Sequence, residues 1–575
     1  MINVGTKRIG EILLDEGKLN ERDLDLALHE HEKTGDQLGR VIINMGLLSE
    51  EDVMRALATQ LHIPFIRLSA TELSPEIIQR IPAKIASHYH VVPLGEDNGM
   101  LKIATDDPHN IETLDSLNRL LDMEVEPVAA TRRDIDEAIK VHYGIGAATM
   151  EQMMDNREQS RLAVDEANVT ADVDEMAEDA TIVRFVNQVV REAFNDRATD
   201  IHIEPMEKDL RIRYRIDGML YEAAVPPTIK RFQSAIISRV KIMSDMNIAE
   251  RRLPQDGKIK ITMKGEEYDL RVSTVPTPYG ESVAIRILRR EESLIKLENQ
   301  GLDEHNIAII RDMISKPHGI FLVTGPTGSG KSTTLYGAIS EINAIERKII
   351  TIEDPIEYRI EGVTQIQVHS DIGLTFASVL RTILRQDPDV IMVGEIRDTE
   401  TAQISIRTAL TGHLVFSTLH TNDSCGAVAR LIDMGIEPFL VSSSVEGIVA
   451  QRLVRLLCHE CKQVYQPETA ILDRLNLQKK VNFSDVDFFK PVGCKRCRYT
   501  GHYGRTAIYE IVRIDEDIKR HIVNRDSANL IRKTALKNGM RTIRDDGFLK
   551  IQRGITTIDE VMRMTMEDEF AHQPA

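Results

Sequence analysis

The stretch GIFLVTGPTGSGKSTTLYGAI, Gly319 to Ile339, constrains this chain more than any other part of it. An apolar run of strand type leads to Gly325, four intervening residues and then Gly330-Lys331-Ser332, after which the composition turns helical. Glycines let backbone N–H groups turn toward the β- and γ-phosphates of a nucleotide, and the helix amino terminus adds its dipole. Lys331 supplies charge, and Ser332 supplies a magnesium ligand. The loop works only between a strand and a helix of a layered α/β core, so that core, ATP and Mg2+ are all expected. The nucleotide site is expected to comprise Gly325, Pro326, Thr327, Gly328, Ser329, Gly330, Lys331, Ser332 and Thr333.

Three further strand-like runs follow, KIITIEDPIEY, DVIMVGEIRD and GHLVFSTLHT, at intervals that suit neighbouring parallel strands. Ligands of such sheets collect at the carboxyl ends of the strands. Glu353, Asp354, Glu395 and His420 are therefore expected to converge on the phosphates. Taken singly, each also reads as a solvated loop residue. The second run carries Gly394 where a magnesium-binding aspartate often ends the strand, with Glu395 next.

At 575 residues the chain exceeds one compact core, and about 150 residues per domain suggests three to five of them. A net charge of -18 without a block of Lys and Arg argues against a protein that coats nucleic acid. No amino-terminal signal segment and no run of about 18 apolar residues is present, so a cytoplasmic chain is expected, with membrane attachment only through a partner. Of five cysteines, Cys458 and Cys461 form one C-x-x-C pair and Cys494 and Cys497 another. Two such pairs form a tetrathiolate zinc pattern, each placing two sulfurs on one tetrahedral edge. Cys425 stands alone and reads as a packed core thiol.

The amino-terminal region repeats itself. RIGEILLDEGKLNERDLDLALHEH from Arg8 aligns with QLGRVIINMGLLSEEDVMRALATQ from Gln37, pairing Gly10 with Gly39, Gly17 with Gly46 and Asp23 with Asp52. In each copy a short helix ends at a glycine, and Asn20 or Ser49 caps a second helix. Residues 1–61 are thus expected as two helical hairpins and 62–145 as an α+β part. The acidic stretch 146–177 reads as a linker, partly helical. Residues 178–297 open on the amphipathic TIVRFVNQVVREAF and continue into strands such as LRIRYRIDGML, 298–455 carry the ATPase core, 456–500 the four cysteines, and 501–575 a helical carboxyl-terminal part.

Over nearly its whole length the chain resembles the secretion and type IV pilus motor ATPases of the type II/IV secretion superfamily. The resemblance rests on the Walker A box (Gly325 to Thr333), an aspartate box (Thr351 to Tyr358), an atypical Walker B box ending in Gly394-Glu395, and a histidine box (Thr411 to Thr421). It implies a multidomain α/β and α+β chain: a helical-hairpin plus α+β amino-terminal domain, a PAS-like α+β middle domain, and a RecA-like P-loop core with a zinc-knuckle insertion and a helical carboxyl-terminal part. It also implies that Glu395 activates the attacking water, with Glu353 and His420 beside it, and that the middle domain donates Arg271 and Arg286 to the γ-phosphate. Arg381, Arg385 and His413 resemble further nucleotide-site residues of the family. The four-cysteine insertion resembles that of the assembly and secretion branches, which the retraction branch lacks.

The repeated hairpins resemble a tandem module of these ATPases that binds cyclic di-GMP, in which each copy begins with arginine and ends with glutamine. The matching positions are Arg8, Ile9, Gly10 and His31 in the first copy and Gln37, Leu38, Gly39 and Gln60 in the second. His31 and Gln37 depart from the pattern, and Gln37 offers guanine an uncharged imitation of the arginine fork. A hairpin pair that only docks on a partner is the bland alternative. The implied assembly is a homo-hexamer acting on an inner-membrane platform protein, with cytoplasmic accessory proteins and no nucleic acid. The motor core does not separate pilus assembly from type II secretion, and the tandem module favours the pilus. A nucleic-acid motor and a messenger receptor with a vestigial ATPase are the other readings.

Overall fold

The computed structural model describes residues 7–68, 71, 73–144, 146, 147, 149, 171–263, 265–289, 296–468, 471 and 486–565. The chain divides into two compact units, the first Met1–Met263 with Tyr268–Leu288 and the second Lys264–Glu267 with Arg289–Ala575.

The first unit opens with the two hairpins, α1 (Ile9–Asp15) with α2 (Glu21–Thr34), and α3 (Leu38–Asn44) with α4 (Glu50–Leu61). Asn20 Oδ1 accepts the Asp23 N–H at 2.8 Å and Ser49 Oγ the Asp52 N–H at 3.2 Å, so both second helices are capped as the repeat predicts. The paired glycines have a packing reason. A Cβ on Gly10 would lie 2.9 Å from Leu24 Cδ1, and one on Gly39 3.0 Å from Val53 Cγ1, so glycine at both positions lets each short helix sit close to the next without displacing these methyls. Leu13, Ala27, Ile42 and Ala56, all fully buried, form the shared core.

The α+β part is a sheet of β1 (Val91–Asp97), β2 (Met100–Thr105) and β3 (Glu124–Ala129). Its β2 and β3 run parallel because the helix Ile111–Leu121 crosses between them. The following helix, Ala171–Asn195, starts inside the stretch expected as a linker, and residues 150–170 of that stretch lie outside the described residues. It leads into a six-stranded sheet of β4 (Ala198–Pro205), β5 (Leu210–Ile216), β6 (Met219–Glu222), β7 (Gln255–Met263), β8 (Glu266–Thr277) and β9 (Gly280–Arg289), in the order β6-β5-β4-β9-β8-β7. Period-two alternation sends Ile201, Ile212, Leu270 and Ile285 inward onto Phe185 and Ile236 of two helices, and charged residues to the opposite face.

The second unit is built on seven strands: β10 (Gly319–Thr324), β11 (Ile349–Glu353), β12 (Thr364–Gln367), β13 (Val390–Val393), β14 (Leu414–Leu419), β15 (Val445–Leu457) and β18 (His502–Arg513). Their order is β12-β11-β13-β14-β10-β15-β18, parallel except that β18 runs antiparallel to β15. Strands β10, β11, β13 and β14 are buried at every position, as a sheet covered by helices on both faces requires. The stretch after the second cysteine pair opens as strand β18 before turning helical. Its buried run Ala507 to Val512, which includes Glu510, completes the sheet edge under the helix Ile543–Gln552. The cysteines thus sit at the turn of the long β15–β18 hairpin, beside a small ribbon of β16 (Gln463–Tyr465) and β17 (Phe488–Lys490).

Candidate functional site

The phosphate-type loop lies between β10 and the helix Lys331–Ile342, at the carboxyl end of the sheet. Gly330 adopts φ 88° at the helix N-cap, a conformation that favours glycine. A Cβ on Gly325 would lie 2.5 Å from the Gln451 carbonyl oxygen, so the first glycine is required by close approach. Lys331 Nζ donates to Gly325 O at 3.0 Å and Pro326 O at 3.2 Å. Burial lowers its pKa while the charge of Glu395 opposes that shift, which places lysine and glutamate in one electrostatic neighbourhood. Ser332 is exposed at the first turn of the helix, and the glycine turns, the cation and this hydroxyl fit a magnesium-bound nucleotide.

Strand β13 stands two places from β10, with β14 between them. Gly394 N donates to Ile352 O at 2.7 Å and Thr418 Oγ1 donates to Gly394 O at 2.8 Å, pinning the strand end to both neighbours. A Cβ at Gly394 would lie 3.1 Å from Ile352 O and 3.4 Å from Glu353 Cα, so a side chain at the position where an aspartate is often found would be crowded against the neighbouring backbone. The acid comes one residue later. One oxygen of Glu395 pairs with Arg397, and the other lies 3.1 Å from His420 Nε2 at the end of β14. The carboxylate is largely buried and His420 is half exposed, so the pair faces solvent from a fixed base.

Glu353 is placed differently. Its carboxylate is buried and accepts from Tyr336 Oη, from Thr351 Oγ1 at 2.6 Å and from Gln365 Nε2 at 3.0 Å, so it ties β11 to the helix Lys331–Ile342. Burial, reinforced by the Glu353 charge, pushes the Tyr336 phenol well above its usual range. Asp354, next along, is exposed. Arg381 pairs with Glu400, and Arg385 Nη1 donates to Arg381 O at 3.2 Å, both exposed near the end of the helix Phe376–Ile383. His413 lies just before β14, at the amino end of the strands, away from the loop at their carboxyl end. Its Nδ1 lies 3.1 Å from Thr408 O and 3.3 Å from Thr411 Oγ1, so the structure does not bring it to the phosphate loop.

In the first unit Arg271 stands on β8 and Arg286 on β9, both on the charged face of the sheet. Arg286 Nε donates to Asp200 Oδ1 at 3.0 Å, and Arg215 Nε lies 3.7 Å from Asp200 Oδ2. Arg8 and Gln37 occupy the equivalent N-cap positions of α1 and α3, both exposed, with Ile9 and Leu38 one residue further on and partly buried. His31 near the end of α2 pairs through Nδ1 with Asp36 O, and Gln60 stands in the last turn of α4, half-buried.

Cys458, Cys461, Cys494 and Cys497 bring their sulfurs within 4.8 Å of one another. Three of these separations are 3.7 Å. That is the edge of a tetrahedron with metal–sulfur bonds of about 2.3 Å, the zinc–thiolate value. Backbone N–H groups point at the sulfurs as well, Gly493 at Cys461 (3.3 Å) and Cys494 and Gly501 at Cys497 (3.1 and 3.2 Å). Burial pushes the Cys461 and Cys494 thiols up, whereas the Cys494 and Gly501 N–H groups, together with the neighbouring thiols, outweigh burial and lower Cys497. Cys425 is fully buried in the apolar cluster of the ATPase unit.

Arg397 is a site residue that the motif reading passed over, although it stands two residues beyond Glu395 in the same run.

A RecA-like P-loop ATPase is what this sheet and its strand-end residues define, and residues 175–563 match the family described as type II/IV secretion system protein. The chain belongs to that family. It is 42% identical over 570 residues to the type IV pilus assembly ATPase PilB of Myxococcus xanthus (strain DK1622), covering 98% of this chain and 100% of the relative. It is also 42% identical over 563 residues to the type II secretion system protein E of Xanthomonas campestris pv. campestris, covering 97% and 98%. Among solved structures, the Legionella pneumophila ATPase DotB shares the fold, with TM-score 0.50 and 21% identity over 67% of this chain and 96% of that one. Residues 61–149 match the MshEN domain, a span that covers the α+β part and begins where the hairpins end.

Proposed function

We propose that this chain is a hexameric motor ATPase on the cytoplasmic face of the inner membrane, which hydrolyses ATP to drive pilin subunits through a membrane platform protein during type IV pilus assembly. The carrying observation is the group of Lys331, Glu395, Arg397 and His420 at adjacent strand ends of the ATPase sheet. Glu395 orients a water for attack and accepts its proton. Arg397 and His420 hold the carboxylate in place, and Lys331 and the loop N–H groups bind the phosphates. Ser332 would hold magnesium, which would supply neutralising charge beside the phosphates. Arg271 and Arg286 add guanidinium charge at the γ-phosphate when the middle domain closes. Zinc on the four cysteines is structural, since all four positions are filled by protein sulfur.

The pilus branch is supported by the tandem hairpins and by the full-length likeness to a pilus assembly ATPase. Type II secretion is the second reading, because the likeness to a type II secretion protein is equally strong. Among the described residues no helix is long and apolar enough to cross a membrane, which fits attachment through the platform protein. Deleting the gene in its host separates the two: loss of surface pili with secretion intact supports the first, and loss of exported enzymes with pili intact supports the second. Cyclic di-GMP is the proposed regulator, held between Arg8 and Gln60 across both copies. Calorimetry on the full chain is expected to show binding that Arg8→Ala abolishes; absence of binding would make the hairpins a docking module.

A further inference from the structure

The phosphate loop rests on a buried polar group that none of its own motif residues supplies. Strand β15 runs parallel to β10 with Ala450 opposite Thr324, so Gln451 comes level with the point where β10 turns into the loop. Gln451 is 1% exposed. Its Nε2 donates to Ser329 O at 2.7 Å and its Oε1 accepts from Thr334 Oγ1 at 2.8 Å, so both ends of the amide are engaged. The loop is also seated on this residue sterically: a Cβ on Gly325 would meet its carbonyl oxygen at 2.5 Å, and one on Gly330 its Nε2 at 3.1 Å.

The direction of the contact matters. In a planar trans peptide the C=O and the following N–H point opposite ways. Drawing Ser329 O down onto Gln451 therefore turns the Gly330 N–H up, away from the sheet and toward the position of a bound phosphate. We propose that Gln451 is a positioning residue for nucleotide binding, which fixes the Ser329–Gly330 peptide with its N–H facing the phosphates. Thr334 orients Gln451 in turn, because a hydroxyl donating to Oε1 decides which end of the amide faces Ser329. Its single proton is shared between Gln451 Oε1 at 2.8 Å and Gln300 Oε1 at 3.0 Å, and Gln300 Nε2 donates to Thr333 O at 3.1 Å. Tyr509 Oη donates to Gln300 O at 3.0 Å, and Asp546 Oδ2 accepts the Tyr509 N–H at 3.0 Å. The support under the loop thus continues through the core to the helix Ile543–Gln552.

This inference rests on the chain being an ATPase, and the wild type tests that first: absence of ATP binding by the wild type would defeat the ATPase reading before any variant is made. Gln451→Met keeps the volume and removes both hydrogen bonds. For one buried hydrogen bond, KM and Kd for magnesium ATP are expected to rise about tenfold, with kcat within about threefold of wild type. Thr334→Val should move KM the same way, and Thr334→Ser, which retains the hydroxyl, should restore it. Thermal melting of each variant without nucleotide tells loop positioning from general unfolding, and if Gln451→Met does not fold, the Thr334 pair carries the test. A folded Gln451→Met enzyme with wild-type KM, a fall in kcat at unchanged KM, or Thr334→Val and Thr334→Ser behaving alike would each overturn the proposal.

Discussion

Gly394 and Glu395 show how a single residue step decides where the acid stands. The strand end is pinned to Ile352 on one side and Thr418 on the other, which crowds a Cβ at 394, while Glu395 falls past the strand, where its side chain can reach His420. Gly394→Asp is therefore expected to lower the melting temperature and to give no new metal affinity, which thermal unfolding with and without magnesium would check. Glu395→Gln preserves shape and removes the base. It should bind ATP within a fewfold of wild type and lose about 10²–10⁴ in kcat, as phosphate release and nucleotide titration would record. Turnover close to wild type would remove Glu395 from the role of base.

At the scale of elements, the β15–β18 hairpin carries the four-cysteine site outward and the carboxyl-terminal helices fold back onto it. Phe488 of β17 packs against Phe548, Ile551 and Val561, Leu457 N donates to Ile555 O at 2.8 Å, and Lys462 Nζ to Gly554 O at 2.8 Å. Cys494→Ser should reduce bound zinc below one per chain by atomic absorption and increase proteolysis of the helices Ile543–Gln552 and Ile558–Thr565. Unchanged cleavage would show that the metal does not support them. Glu560 ties the last of these helices to β15, bonding Arg455 Nη2 at 2.7 Å and Arg563 Nη2 at 2.8 Å. Burial alone would push its carboxyl up, but the two guanidiniums outweigh that and hold it at about 2, below its ordinary 4.5. A depressed acid adds stability above its unfolded value and loses it as pH falls through the folded one. The stability difference between wild type and Glu560→Gln should thus stay level above about pH 5 and shrink toward pH 2 in urea unfolding at stepped pH.

For the whole molecule, the sheet with the phosphate-type loop lies in one unit and the face bearing Arg271 and Arg286 in the other. Arg286 is half exposed and held by Asp200, so it is positioned without being committed to the core. Arg286→Ala should leave ATP affinity within a fewfold and cut kcat by about 10³ or more if it stabilises transition-state charge. Loss of less than tenfold would assign it to the Asp200 pair alone. Sedimentation with and without nucleotide should show a sixfold assembly if the ring reading holds.

Much of this chain was legible because its strongest signals are local. The Gly-Lys-Ser loop, the paired cysteines and the repeated hairpins each set their geometry within a few consecutive residues, through backbone freedom, ligand spacing or helix capping. The four parallel strands were readable as well, since each is mostly apolar and buried along its whole length. What the residues could not show by themselves is which side chains meet across the sheet. Glu353 and Glu395 look alike as strand-end acids, yet the first is taken up by Tyr336, Thr351 and Gln365 and the second faces His420. His413 and His420 share one box, yet lie before and after β14, toward opposite ends of the strand. Gln451 belongs to no loop motif, and nothing in its local pattern sets it apart from a polar residue on an edge strand. It came under the phosphate loop only because β15 lies beside β10, a pairing between residues more than a hundred positions apart in the chain. Local conformational preference is written in neighbouring residues, whereas the partner of a buried polar group is chosen by strand order, which is settled only when the whole sheet assembles.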